Sequence, residues 1–90
     1  MLGFNPEIPL VLAANASPYG LGAVLMHSFP DGPHRPIAFA SQTLSVNQWR
    51  YSQLDKEALA IIFGLERFQM YVYGRHFTIL SDHKPLQHIL

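Results

Sequence analysis

Apolar and polar positions change their period along this chain, and each change marks an element. Leu10-Val11-Leu12-Ala13-Ala14 is a short unbroken apolar run between Pro9 and the turn-forming stretch Asn15-Ala16-Ser17-Pro18-Tyr19-Gly20. A run that short, with no polar alternation, predicts a strand covered on both faces and hence central in its sheet. A second strand is expected over residues 21–28, where Gly22 marks a bulge or a close backbone approach. Phe29-Pro30-Asp31-Gly32-Pro33 is a turn centred on Asp-Gly, and residues 37–41 read as a third strand. Three strands joined by short links predict an antiparallel meander.

The period then lengthens. Ser52-Gln53-Leu54-Asp55 places an N-cap hydroxyl three residues before an acid, close to a capping box. Leu54, Ala58, Ile61, Leu65, Phe68 and Val72 recur at steps of four and three, which predicts one apolar stripe on a helix over residues 53–73. Gly74 is the expected left-handed residue that ends it. His76-Phe77-Thr78-Ile79-Leu80-Ser81 predicts a fourth strand, and Lys84-Pro85-Leu86-Gln87-His88-Ile89-Leu90 the first two turns of a second helix, with Pro85 in its first turn. A strand reached through a long helix lies parallel to a neighbour in the same sheet. The expected fold is therefore α/β, with a mixed sheet in strand order 3-2-1-4, the fourth strand parallel to the first, and the crossover helix on one face.

Composition narrows what such a fold can be. Of 90 residues 49% are apolar and 13% charged, so the chain forms a core and is not a disordered tail. Six Lys plus Arg balance six Asp plus Glu, which gives no basic excess of the kind that marks a polyanion-binding surface. With no cysteine there is neither a disulfide framework nor a thiolate zinc site. The N-terminus lacks the pattern of a secretory signal, and the longest apolar stretch, residues 58–63, is too short to cross a membrane. The expectation is an intracellular chain, cytoplasmic or nuclear, with no membrane partner.

Topology singles out three polar side chains. Asn15 follows the first strand and Asp82 follows the fourth, so parallel pairing would put both on one rim, where open sheets bind ligands. Glu57, three residues after Leu54 and four before Ile61, borders the helix stripe that crosses the sheet. Two acids and an amide on one rim resemble a site for magnesium, which takes oxygen ligands and retains water. The competing readings are a first-turn acid suited to the helix N-terminus for Glu57, and a second-helix N-cap for Asp82. Trp49, Tyr51, Tyr71 and Tyr73 are candidate base-stacking residues, though such aromatics more often pack at helix ends.

Several blocks resemble the RNase H domain of gypsy-class retrotransposon reverse transcriptases. They are the run from Leu12 to Leu25, Arg35-Pro36-Ile37-Ala38-Phe39-Ala40-Ser41, the stretch from Tyr51 to Ala60, Tyr73-Gly74-Arg75-His76-Phe77, and Ser81-Asp82-His83-Lys84-Pro85-Leu86. The resemblance covers roughly residues 4 to 90, with the blocks in order. It implies cleavage of RNA in RNA–DNA hybrids by two magnesium ions held on carboxylates, within a polyprotein that includes the reverse transcriptase. Glu57 matches the family's helix glutamate and Asp82 its strand-end aspartate. Asn15 stands where the family has its first aspartate, the ligand shared by both metals. That departure implies weakened magnesium binding and impaired or absent cleavage.

The resemblance also implies that residues 1–90 form a partial domain, without the family's last strand and closing helices. The cut second helix would then present Leu86, Ile89 and Leu90 for self-association. The alternative function is a non-catalytic structural or binding module with weak affinity for a hybrid or other nucleic acid. An integrase-like arrangement is disfavoured, because its acids follow a different order and spacing.

Overall fold

The first strand occupies the centre of a mixed sheet, as its unbroken apolar run requires. The computed structural model describes residues 4–81 and 84–89. Strands β1 (Leu10–Ala16), β2 (Gly20–Ser28) and β3 (His34–Thr43) form the antiparallel meander. A 3-10 turn (Gln48–Arg50) leads into helix α1 (Gln53–Arg67) and a single turn α2 (Gln69–Val72), followed by β4 (His76–Ser81) and β5 (Lys84–Ile89). The sheet order is β3-β2-β1-β4-β5. β4 runs parallel to β1, from Leu10 opposite Phe77 to Ala14 opposite Ser81. The order of the first four strands and the parallel pairing match the expectation.

The turn chemistry also falls where the residues place it. Gly32 and Gly74 both adopt positive φ, at 109° and 73°. Ser52 caps α1, its hydroxyl accepting the Asp55 N–H at 3.1 Å. Gly22 marks a close approach and not a bulge. The bulge lies further along, where the β2–β3 register shifts between Leu25 and Met26.

Alternate residues of β1, β2 and β4 make the floor of the core. Leu10, Leu12, Ala23, Leu25, Phe77 and Ile79 are buried there with Ile37, and Phe68 and Val72 close it from the helix side. The helix meets this floor along a different line from the one its large apolar residues suggest. Leu54 is 75% exposed and Ala58 is exposed, whereas Lys56, Ala60 and Gly64 are the buried residues of α1. The reason is distance. A β-carbon at position 64 would sit 3.1 Å from Ala23 Cβ and 3.2 Å from both Leu12 methyls. The ridge of closest approach must therefore be built of small residues, with Ile61 and Leu65 half-buried beside it.

One helix over residues 53–73 was expected, and the chain instead breaks at Phe68. There φ is −111° and ψ is 20°, and the ladder resumes as α2. A ridge that passes from glycine to a buried phenylalanine within one turn cannot keep one axis at one distance from the sheet.

The expected second helix is also corrected. Residues Lys84–Ile89 form a strand paired antiparallel with β4. Six residues are too few to sustain a helix without packing, because the first turn is costly to nucleate. Pairing with Lys84–Ile89 satisfies the outer edge of β4. Pro85, which lacks an N–H, is tolerated because β5 is an edge strand. The helix face on which self-association was to rest is therefore not formed.

At the opposite rim from the strand ends, the N-terminal segment is held by side chains. Arg75 Nη2 donates to the carbonyls of Pro6 at 2.7 Å and Ile8 at 3.2 Å. The buried His27 accepts the Asn5 N–H through Nε2 at 3.1 Å and stacks on Phe4.

Gly64→Leu is expected to lower stability by about 2–3 kcal/mol or more, since overpacking outweighs the gain of about 1 kcal/mol in helix propensity. Urea denaturation checks this. A variant as stable as the parent would show that the helix does not approach the sheet through residue 64.

Candidate functional site at the sheet rim

Parallel β1 and β4 end side by side, with Ala14 opposite Ser81, and β1 continues to Ala16. α1 starts over this rim, and its first turns are bonded to the loop that follows β1. Gln53 Nε2 donates to the Ala16 carbonyl at 3.3 Å. Lys56, only 6% exposed, donates from Nζ to the Pro18 carbonyl at 3.0 Å. The loop itself is closed by the Ser17 N–H on the Gly20 carbonyl at 2.9 Å. Glu57, half-buried, lies one turn after Gln53 and so shares its side of the helix.

These ties bring two of the three expected residues together. Asn15 and Glu57 line one cleft of 480 Å³, with Gln53 from α1 and Leu80 from β4. Asp82, the third, lies outside the described residues. Asn15 also lines two further hollows. One, of 410 Å³, runs past Val24 and Phe39, and the other, of 280 Å³, past Ser17 and Gln42. An exposed side chain at the junction of three hollows is accessible to a ligand from several directions.

Gly22 explains how Asn15 is seated. The two residues are paired across β1 and β2, and a β-carbon at position 22 would lie 2.7 Å from Asn15 Oδ1. The amide oxygen occupies the space that a side chain at residue 22 would need.

The donors in the cleft are oxygens of the kind magnesium takes: the amides of Asn15 and Gln53 and the carboxylate of Glu57. Glu57 is the one formally charged residue among the described lining residues. Two divalent ions need more negative charge than one carboxylate supplies, and Asp82, the second expected carboxylate, lies outside the described residues. Among the described residues no cluster of three His, Cys, Asp or Glu could hold a metal ion.

The sequence pattern did not point to Gln53 or Lys56. Gln53 was legible in principle, standing four residues before Glu57. Lys56 was hidden, because a lysine between two acids reads as a solvated charge. Of the candidate aromatics, Tyr71 packs edge-on against Phe4 near the N-terminal segment, and Tyr73 is 77% exposed. Trp49 packs edge-to-face with Tyr19, a residue not among the aromatics singled out.

A family model described as the RNase H-like domain found in reverse transcriptase matches residues 5–90. The chain is similar to the retrovirus-related Pol polyprotein from transposon 297 of Drosophila melanogaster, 42% identical over 81 residues, covering 90% of this chain and 7% of that protein. It is 38% identical over 79 residues to the Pol polyprotein from transposon gypsy of the same organism, covering 87% and 7%. It is 37% identical over 85 residues to the transposon Tf2-3 polyprotein of Schizosaccharomyces pombe, covering 92% and 6%. The chain thus spans less than a tenth of the length of these relatives.

Among solved structures, the fold matches the foamy viral protease-reverse transcriptase in complex with dsDNA. The TM-score is 0.71 at 23% identity, over 86% of this chain and 16% of that one. The same viral protein in complex with RNA/DNA hybrid matches with a TM-score of 0.65 at 24% identity, over 83% and 10%.

Lys56→Met keeps the packed stem and removes the ammonium donor to Pro18. The expected loss is about 1.5–3 kcal/mol, the range for a hydrogen bond to a charged group. Hydrogen exchange at the Ser17 amide, which closes the loop on the Gly20 carbonyl, should accelerate more than exchange at Ala23 to Leu25 in the middle of β2. Uniform acceleration would show that Lys56 supports the whole fold and not this loop.

Proposed function

We propose, from the premise that this chain belongs to the RNase H-like domain family found in reverse transcriptase, that it is the hybrid-engaging part of a retroelement Pol polyprotein. The observation that carries this reading is the shared cleft of Asn15 and Glu57 at the carboxyl ends of β1 and β4. These positions match the family's first aspartate and its helix glutamate, and Asp82 matches the strand-end aspartate. Asn15 comes from β1 and Glu57 from α1, and the Gln53 and Lys56 ties register those two elements. The substrate is an RNA–DNA hybrid. One viral neighbour of the same fold is described in complex with such a hybrid.

Hydrolysis of a phosphodiester at such a rim requires an activated water and stabilisation of the leaving oxygen, which paired magnesium ions supply when bound. This chain's own residues do less. Glu57 provides a carboxylate at the cleft, and Gln53 has a carbonyl oxygen to offer while its nitrogen holds the Ala16 carbonyl. Asn15 provides an oxygen of the right shape without charge. Cleavage is therefore impaired or absent, and the domain binds hybrid without processing it efficiently. The neutral amide at position 15 also favours a second reading, a non-catalytic binding module that keeps the fold and not the chemistry.

Asn15→Asp tests the placement of residue 15 in the metal site. The new carboxylate should tighten magnesium binding by about tenfold, equivalent to about 1.4 kcal/mol of added charge interaction. Calorimetric titration of both forms measures this, alongside a hybrid-cleavage assay. The parent chain is expected to leave hybrid intact. Equal magnesium affinity in the two forms, or efficient cleavage by the parent, would remove residue 15 from the metal site.

A further inference from the structure

In the loop that follows β1 and the segment that leads into α1, three aromatic side chains stand in solvent. Tyr19 is 62% exposed, Tyr51 45% and Trp49 43%. Tyr19 and Trp49 form an edge-to-face pair with centroids 5.1 Å apart and planes at 75°. We propose that this pair, with Tyr51 two residues after Trp49, is a stacking platform for the sugar and base surface of a nucleic-acid strand that runs past the Asn15–Glu57 cleft. The proposal rests on the hybrid-engaging reading above and adds a contact that the metal-site positions do not include.

The platform is fixed relative to the cleft by bonds on both sides. The Trp49 indole N–H donates to the Leu44 carbonyl at 3.2 Å, and the Leu44 N–H donates to the Tyr19 carbonyl at 2.9 Å. Leu44 is 3% exposed, so both rings hang from one buried anchor. The loop that carries Tyr19 is the one held by Gln53 at Ala16 and by Lys56 at Pro18. One short loop therefore joins the cleft to the platform. An aromatic pair held this firmly loses little freedom when a partner docks.

The chemistry of the exposed surface selects the partner. The indole N–H is already used inward, so Trp49 offers ring surface and not a hydrogen bond. Such surface accepts any base or sugar face, because every base has a π-face. Arg50, exposed and next to Trp49, can meet a phosphate, while Asp55 at the α1 start brings an opposing charge. The local balance is near neutral, so contact here depends on stacking more than on release of counterions. The affinity that the platform contributes should accordingly change little with salt, unlike a phosphate contact.

Trp49 is the chain's one tryptophan, so its emission reports on this site alone. The full chain is titrated into an end-labelled RNA–DNA hybrid in metal-free buffer. Anisotropy gives total binding, and tryptophan emission gives contact at the platform. Binding is expected to quench or shift Trp49 emission. Tyr19→Ala and Trp49→Ala should each weaken binding about tenfold, by a similar factor at low and moderate salt, and Trp49→Phe should retain most of the affinity. Thermal melts of each variant establish that it is folded, and Tyr19→Ala leaves the indole bond intact. Binding with unchanged Trp49 emission, or parental affinity in folded Tyr19→Ala, overturns the platform and leaves the cleft reading standing. Absence of any hybrid binding overturns both.

Discussion

Gly64 presses so closely on Leu12 and Ala23 that no β-carbon fits there without displacing them, and that separation sets the height of α1 above the sheet. With the helix this low, Lys56 on the same ridge reaches the carbonyl of Pro18 and Gln53 reaches that of Ala16. The loop after β1 is then a fixed object, and Asn15 before it and Tyr19 within it take defined positions. A bulkier ridge would lift the helix start, loosen both bonds and separate Glu57 from Asn15. The geometry of the rim is thus a consequence of core packing two turns away.

Much of this was legible in the residues, for reasons that differ from element to element. The meander, the Asp31-Gly32 turn, the Ser52 cap and the left-handed Gly74 follow from local chemistry that needs no knowledge of the rest. The 3-2-1-4 order and the meeting of Asn15 with Glu57 follow from one long-range rule, the parallel return through a crossover helix. What could not be read is where the helix touches. Periodicity weighs large apolar residues most, whereas the contact is made by alanine and glycine with a lysine on the same ridge. Leu54 and Ala58 were therefore placed inward when they face out. The segment after Ser81 failed for a related reason. Its helix signals were local and weak, and an open strand edge outweighed them.

Position 15 shows how separable fold and chemistry are at this rim. Amide and carboxylate have almost the same shape, so exchanging them leaves the packing over Gly22 unchanged. Without bound cations, a carboxylate at residue 15 would add a second negative charge to the cleft that holds Glu57, and like charges in one site disfavour each other. The neutral residue relieves that repulsion. Stability alone therefore does not select the carboxylate over the amide at this position.

The parallel pairing of β1 with β4 has a kinetic side as well. β1 precedes its sheet neighbours in the chain, and its edge toward β2 can close as soon as the short β1–β2 loop forms. Its other edge waits for Phe77 to Ser81, 67 residues further along the chain. Contacts of such high sequence separation form late, since the loop entropy must be overcome before they give anything back. During that interval an apolar strand, destined for the centre of the sheet, stands as an edge. Neighbouring chains emerging on the same message meet it in that state, and the speed of the crossover decides whether it finds β4 or another copy of itself.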